Sequence, residues 1–139
     1  MSNYSLISKK KLESCHPDLQ AIFFYVILGY DNTIVCGHRG EQEQNQAFAA
    51  GNSQLQWPNS KHNSYPSMAV DAVPYETNHL DWGKTQMANF AGYVKGIADL
   101  LFRMSIISHH VRCGIDWNGN NDIDDTKFVD AGHFELIEP

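Results

Sequence analysis

The stretch MAVDAV, residues 68–73, is apolar except for one carboxylate, Asp71, and Pro74 follows it directly. A short apolar run with β-branched Val70 and Val73 reads as a core strand, and the proline reads as its end. An ionised carboxylate inside such a strand is too costly to leave without a partner. Two kinds of partner are available. One is a salt bridge to Arg39 or Arg112; the other is a metal ion held jointly with other side chains.

Outward from this strand, the pattern alternates between helices and short strands. Pro17 suits the first turn of a helix running to about Leu28, with Gly29 ending it. Its sequence is apolar nearly all round, so the helix is expected to be buried. NTIVCG, residues 32–37, reads as a short core strand, and EQEQNQAFAA, residues 41–50, as a polar helix stopping at Gly51. Residues 51–67, rich in Ser, Asn and Pro, read as loop. The clearest helix is expected from Lys84 to about Ile107, where Met87, Phe90, Val94, Ile97, Leu101 and Met104 repeat at steps of three and four as one core-facing stripe. HHVRCG and HFELI, residues 109–114 and 133–137, complete the strands. The expected fold is a single α+β domain over residues 1–139, with three main helices on a small, largely antiparallel sheet.

Composition narrows the function classes. The 139-residue chain carries a net charge of −6, against a nucleic-acid partner or an anionic membrane, both of which call for clustered Lys and Arg. Cys15, Cys36 and Cys113 show no C-x-x-C spacing and read as free thiols of a reducing compartment. The N-terminal residues lack the apolar region of a signal peptide, and the longest apolar run, AIFFYVIL, is eight residues, too short for a bilayer. A monomer is the expected state.

Seven histidines are present, at positions 16, 38, 62, 79, 109, 110 and 133. Two stand out by their company: His62, in the Ser/Asn-rich loop before Asp71, and His133, three residues after Asp130 across Ala-Gly. Strand alternation places His133 and Glu135 on one face, with Phe134 and Leu136 on the other. Three His and carboxylate ligands, with a fourth position left to water, describe a catalytic zinc site rather than a structural one. Asp130 fits the post of a carboxylate that takes the water's proton. Glu135 is either a partner orienting an imidazole or a surface glutamate on an edge strand.

The elements IVCGHRGEQEQ, SKHNSYPSMAVDAVPY, RCGIDWNGN and DAGHFEL occur here in that order. In this they resemble the zinc peptidases of the D-Ala-D-Ala carboxypeptidase superfamily. The chain is most similar to the L-alanyl-D-glutamate peptidases that serve as bacteriophage endolysins. The resemblance covers nearly the whole chain and implies a hedgehog/DD-peptidase-like fold. It implies His62, Asp71 and His133 as zinc ligands, Asp130 as the base and Arg39 as the group that stabilises the oxyanion. The family usually has six residues between the first two ligands, with a Gly midway. This chain has eight, and Ser67 stands at the expected Gly. The difference falls beside Tyr65 and Pro66, close to the expected substrate groove. The implied reaction is zinc-dependent hydrolysis of the L-Ala–D-Glu bond of peptidoglycan stem peptides. The implied setting is the host bacterial cytoplasm, with access to the wall opened by a separate pore-forming protein. D-Ala-D-Ala carboxypeptidase or dipeptidase activity on the same polymer, and a catalytically silent metal- or wall-binding module, remain as alternatives.

DWNGNNDIDD, residues 116–125, sets Asp116, Asn118, Asn120, Asp122 and Asp124 at alternate positions, an oxygen-rich spacing like that of a calcium loop. The match is partial. Asn121 replaces the turn Gly, and Lys127 holds position twelve, where a bidentate Glu belongs; Asp125 is the nearest carboxylate to make good that loss. A solvated Asn/Asp turn is the other reading.

Overall fold

The computed structural model describes residues 2–76, 79–80, 82–125 and 129–139. In chain order the elements are α1 (Leu6–Glu13), α2 (Pro17–Gly29), β1 (Asn32–Cys36), α3 (Glu41–Ala49), a 3-10 turn (Lys61–Asn63), β2 (Ala69–Glu76), β3 (His79–Leu80), α4 (Lys84–Arg103), β4 (His110–Cys113) and β5 (His133–Ile137). The strands run antiparallel in the order β1-β2-β5-β4, with two-residue β3 paired to the end of β2. The α+β expectation holds, with a fourth helix added.

That fourth helix is α1, which carries no strong apolar stripe and so leaves little periodic signal. Its caps explain it. The Ser5 hydroxyl accepts the Ser8 N–H, and buried Ser8 in turn accepts the Ile34 N–H of β1. Only Leu12 from its apolar residues enters the core.

Two boundaries differ from expectation. β2 does not stop at Pro74 but runs on to Glu76, with Pro74 opposite Asn32. The Ala72 N–H, on the edge facing β5, reaches the Gly132 carbonyl, but position 74 lies beyond that pairing. The missing proline N–H therefore forfeits no ladder bond. α4 ends at Arg103 rather than near Ile107, because Ser105 turns left-handed (φ 60°) and the Ile106 N–H returns to the Leu101 carbonyl. The reversal buries Ile107 and leaves Met104 59% exposed, outside the core stripe to which its spacing had assigned it.

The two long helices cover one face of the sheet. Leu19, Ile22, Phe23 and Val26 of α2, with Met87, Phe90, Val94 and Leu101 of α4, pack against Val70, Ala72, Phe134 and Leu136. Phe134 meets both Phe23 and Phe90 edge to face, at 5.7 and 5.8 Å between ring centroids. Because side chains alternate, the same register sends another row to the opposite face. There Cys36 lies opposite Asp71, Asp71 opposite His133, and Glu135 opposite both Ala69 and Arg112. A slip of one residue would exchange core for site, so the Phe134 packing fixes the register of the polar row.

The turn into β5 depends on Gly132, whose φ is +91° and whose added Cβ would lie 2.9 Å from the Ala72 carbonyl oxygen. Gly132→Ala is expected to lower unfolding free energy by about 1–3 kcal/mol, the usual cost of a side chain in that backbone region. Urea denaturation checks this, and an unchanged midpoint would contradict it.

Candidate metal centre

Asp71 lies at the middle of the polar row, and its partners arrive from three separate elements. Its Oδ1 is 3.2 Å from His62 Nε2 and 3.2 Å from His133 Nδ1, and its Oδ2 is 3.4 Å from an Arg39 guanidinium nitrogen. The salt bridge to Arg39 and the gathering of histidines, two readings of one carboxylate, thus occur together. Arg112 does not reach Asp71; it pairs with Glu135 instead.

Each imidazole is oriented from behind. His62 rides on the 3-10 turn, whose capping box is formed by Ser60 and Asn63. The Gly37 carbonyl lies 2.8 Å from His62 Nδ1 and accepts its proton, so that Nε2 is the nitrogen facing Asp71. Gly37 must be glycine, since a Cβ there would sit 2.2 Å from the Lys11 carbonyl oxygen at the end of α1. His133 is set in the mirrored sense: Nε2 donates to Glu135 Oε1 at 2.9 Å, leaving Nδ1 toward Asp71. Glu135 also accepts from Arg112 at 2.7 Å and lies 3.5 Å from Lys61 Nζ. It is buried on a strand between β2 and β4, so the surface, edge-strand reading of Glu135 is excluded.

The electrostatics follow from this packing. Burial alone would push His62 down, but the Asp71 carboxylate prevails and raises it to about 10. Burial likewise works against the raised His133 and the lowered Asp71, and is outweighed by their mutual hydrogen bonds and charges. Asp130 behaves differently. Burial and the like charge of Asp71 push it above the usual carboxylate range. Its Oδ2 stands 3.7 Å from His133 Nδ1.

A cluster that raises two histidines is one that attracts positive charge. Ligands about 2.0–2.1 Å from a tetrahedral zinc stand about 3.3 Å from one another, close to both N···O separations at Asp71. Two imidazoles and one carboxylate are a donor set that a divalent transition metal takes, and both imidazoles stand at that spacing from the one Asp71 oxygen. Cys36 approaches the same pair, its thiol joining His62 and Asp71 in a group whose ligand atoms lie within 4.8 Å of one another. His62 Nδ1, 3.9 Å from that thiol, is already bonded to the Gly37 carbonyl.

A cavity of about 500 Å³ opens over this face, lined among others by Arg39, His62, Asp71, Trp117, Asp130 and His133. Its opposite wall is the segment of residues 52–61, not Tyr65 or Pro66. Tyr65 is exposed, while Ser67 is buried and bonded to the backbone of Ser14 and His16. One residue that matters to the site carried no signal in the sequence. Gln44, on the polar helix α3, is fully buried and accepts from Arg39 and Asn63 through Oε1 while its amide holds Ser53 and Leu55.

In the Asn/Asp loop, Asn118, Asn120 and Asp122 each accept the N–H two residues on, at 3.1, 2.8 and 2.9 Å. Asn121 takes the left-handed conformation (φ 67°) that the absent Gly would have supplied. Asp116 is 3% exposed; its Oδ2 accepts the Asn121 N–H and faces Lys95, and its Oδ1 has no hydrogen-bond partner among the described residues. Asp125 accepts from Asn118 and Asn120, and Asp124 pairs with Lys84. Lys127 lies outside the described residues.

Comparison with known proteins bears on this geometry. The model of a family described as phage L-alanyl-D-glutamate peptidase matches residues 1–137. Among solved structures, the chain is similar to the crystal structure of the Serratia marcescens L-Ala D-Glu endopeptidase ChiX. The two share 23% identity and a TM-score of 0.72, over 96% of this chain and 89% of that one. At that identity the likeness concerns the fold. No curated protein sequence matches.

Glu135 makes this site acid-sensitive. Burial would raise it, but the hydrogen bonds from His133 and Arg112 prevail and hold it at about 2. A depressed carboxylate contributes stability that is present above its unfolded value and lost as pH falls through the folded one. The metal-free protein is therefore expected to lose stability between about pH 4.5 and 2, with a shallower loss in Glu135→Gln, measured by chemical denaturation across that range. Parallel curves for the two proteins would rule it out.

Proposed function

The chain belongs to the phage L-alanyl-D-glutamate peptidase family, and from that premise we propose that it is a zinc endopeptidase with His62, Asp71 and His133 as ligands. Its activity is that of a peptidase on peptidoglycan. The observation that supports the metal assignment is the single Asp71 oxygen 3.2 Å from both imidazoles, each imidazole held from behind in the tautomer a metal needs.

Zinc, when bound there, supplies Lewis-acid activation of water and of the scissile carbonyl near neutral pH. The chain's own groups do the rest. Asp130, with its raised proton affinity, takes the proton of the attacking water and later gives it to the leaving amine. Arg39 donates to the oxyanion that develops on the carbonyl, with Gln44 holding its other nitrogen in place. Glu135 and the Gly37 carbonyl keep the two imidazoles from turning. A silent binding module needs neither a base nor an oxyanion group beside its metal, and a D-Ala-D-Ala carboxypeptidase is a poorer match to the family. Among the described residues no helix is long and apolar enough to cross a membrane. The phage character of the family supports accumulation in the host cytoplasm, with wall access opened by a separate pore-forming protein.

A second cation is favoured by one observation: the buried Asp116 Oδ1, which has no described partner in a loop of Asx turns. In this reading Asp116, Asn118, Asn120, Asp122 and Asp124 hold calcium, and ordering the loop steadies Asp130, which follows a few residues on.

Purified protein is expected to carry about one zinc per chain and to lose wall lysis with chelator. Asp130→Asn should keep the metal and lose turnover by about 10²-fold or more, and His62→Ala or His133→Ala should lose both. Full lysis by Asp130→Asn would overturn the mechanism. Mass analysis of digested peptidoglycan decides the bond: new N-terminal D-Glu supports the endopeptidase, released D-Ala the carboxypeptidase. For the loop, millimolar calcium should raise the melting temperature of the wild type but not of Asp116→Asn/Asp122→Asn. An equal rise in both would dismiss calcium binding there.

A further inference from the structure

Among the described residues, three cations line the cavity: Arg39, Lys61 and Arg112. Two are each held by more than one group: Arg39, the proposed oxyanion donor, by Gln44 and Asp71, and the Lys61 ammonium by the Leu136 carbonyl and Glu135. Arg112 differs from both. Among the described residues it makes one hydrogen bond, from Nη2 to Glu135 Oε2, and its guanidinium lies over the Trp117 ring at 5.6 Å from the centroid. Its side chain is 42% exposed. A guanidinium has five N–H donors, and Arg112 uses one of them on a described residue while lining the cavity.

The local charge count points the same way. Lys61 and Arg112 share one carboxylate, Glu135, whose other oxygen is taken by His133. Two positive charges against one negative leave this wall of the cavity cationic, in a chain whose net charge is −6. A planar guanidinium, set over an aromatic ring and anchored at one nitrogen, is preorganised for bidentate capture of a carboxylate.

We propose that Arg112, with Lys61 beside it, is the receptor for a free carboxylate on the leaving side of the scissile bond, the α-carboxylate of the D-glutamyl residue. The proposal rests on the peptidase reading above. In stem peptides the D-glutamyl residue continues the chain through its γ-carboxyl. Its α-carboxylate therefore sits on the carbon that bears the scissile nitrogen, and is the charge nearest the bond to be cut. Arg112 lines the same cavity as the proposed metal ligands and is joined to His133 through Glu135 by hydrogen bonds of 2.7 and 2.9 Å. Glu135 thus has two duties, orienting the imidazole and aiming the fork. Amidation of the α-carboxylate, which turns D-glutamate into D-isoglutamine, removes the charge the fork is built to take, so the enzyme discriminates between amidated and unamidated walls.

The test uses two synthetic stem peptides that differ only in D-glutamate against D-isoglutamine, with kcat and KM measured separately and zinc content measured for each protein. Wild type is expected to favour the acid by about tenfold or more, mainly through KM, as when a charge-assisted bond is lost from a built site. Arg112→Gln should bring the ratio close to one, and Arg112→Lys, which keeps the charge and loses the fork, should retain part of it. Disturbance of the metal through Glu135 would lower both peptides together and leave the ratio standing, and a ratio that survives Arg112→Gln overturns the proposal. So does a wild type that cuts both peptides equally well. A wild type that cuts neither between L-Ala and the next residue overturns the functional reading, and the receptor with it.

Discussion

The carboxylate of Asp71 is the point on which the polar half of the molecule turns. It is carried by a strand whose flanking residues, Val70 and Ala72, are sealed in the core, so its place is fixed. Every group that answers it must come to it: His62 from a 3-10 turn, His133 from the neighbouring strand, Arg39 from the segment after β1. Each is in turn braced by something rigid, whether the Gly37 carbonyl, buried Glu135 or buried Gln44. The cost of burying one charge has been met by ordering three elements around it.

This arrangement also explains why the sheet is built in the order β1-β2-β5-β4. Strands β2 and β5 must be neighbours for Asp71 and His133 to meet, and β4 must flank β5 for Arg112 to reach Glu135. Apolar packing on one face and polar pairing on the other are therefore two outcomes of a single register. Phe134, wedged between Phe23 and Phe90, holds the register from below.

Much of this was legible before any coordinates. A lone carboxylate in an apolar strand announces that partners exist, and the alternation of HFELI places His133 and Glu135 together against Phe134 and Leu136. The stripe of α4 is legible for the same reason: period is a strong signal wherever one face is buried. What was not legible lacks a period. α1 is held by the hydroxyls of Ser5 and Ser8 rather than by an apolar face, and Gln44 is one polar residue among many on α3. The extension of β2 past Pro74 depends on where its neighbour stops, and the end of α4 depends on Ser105 taking a conformation uncommon for serine. The wall of residues 52–61 is irregular backbone, placed by Gln44 and therefore hidden with it.

The links between β2, β5 and the 3-10 turn join residues far apart along the chain: Asp71 and His133 are 62 positions apart, Lys61 and Leu136 75. Loops of that length must close before these contacts can contribute anything, and their closure entropy is met only as the sheet forms. The two long helices, by contrast, draw on neighbouring residues and can form early. The geometry around Asp71 therefore exists only once the sheet has closed, and a partly folded chain, however helical, lacks it.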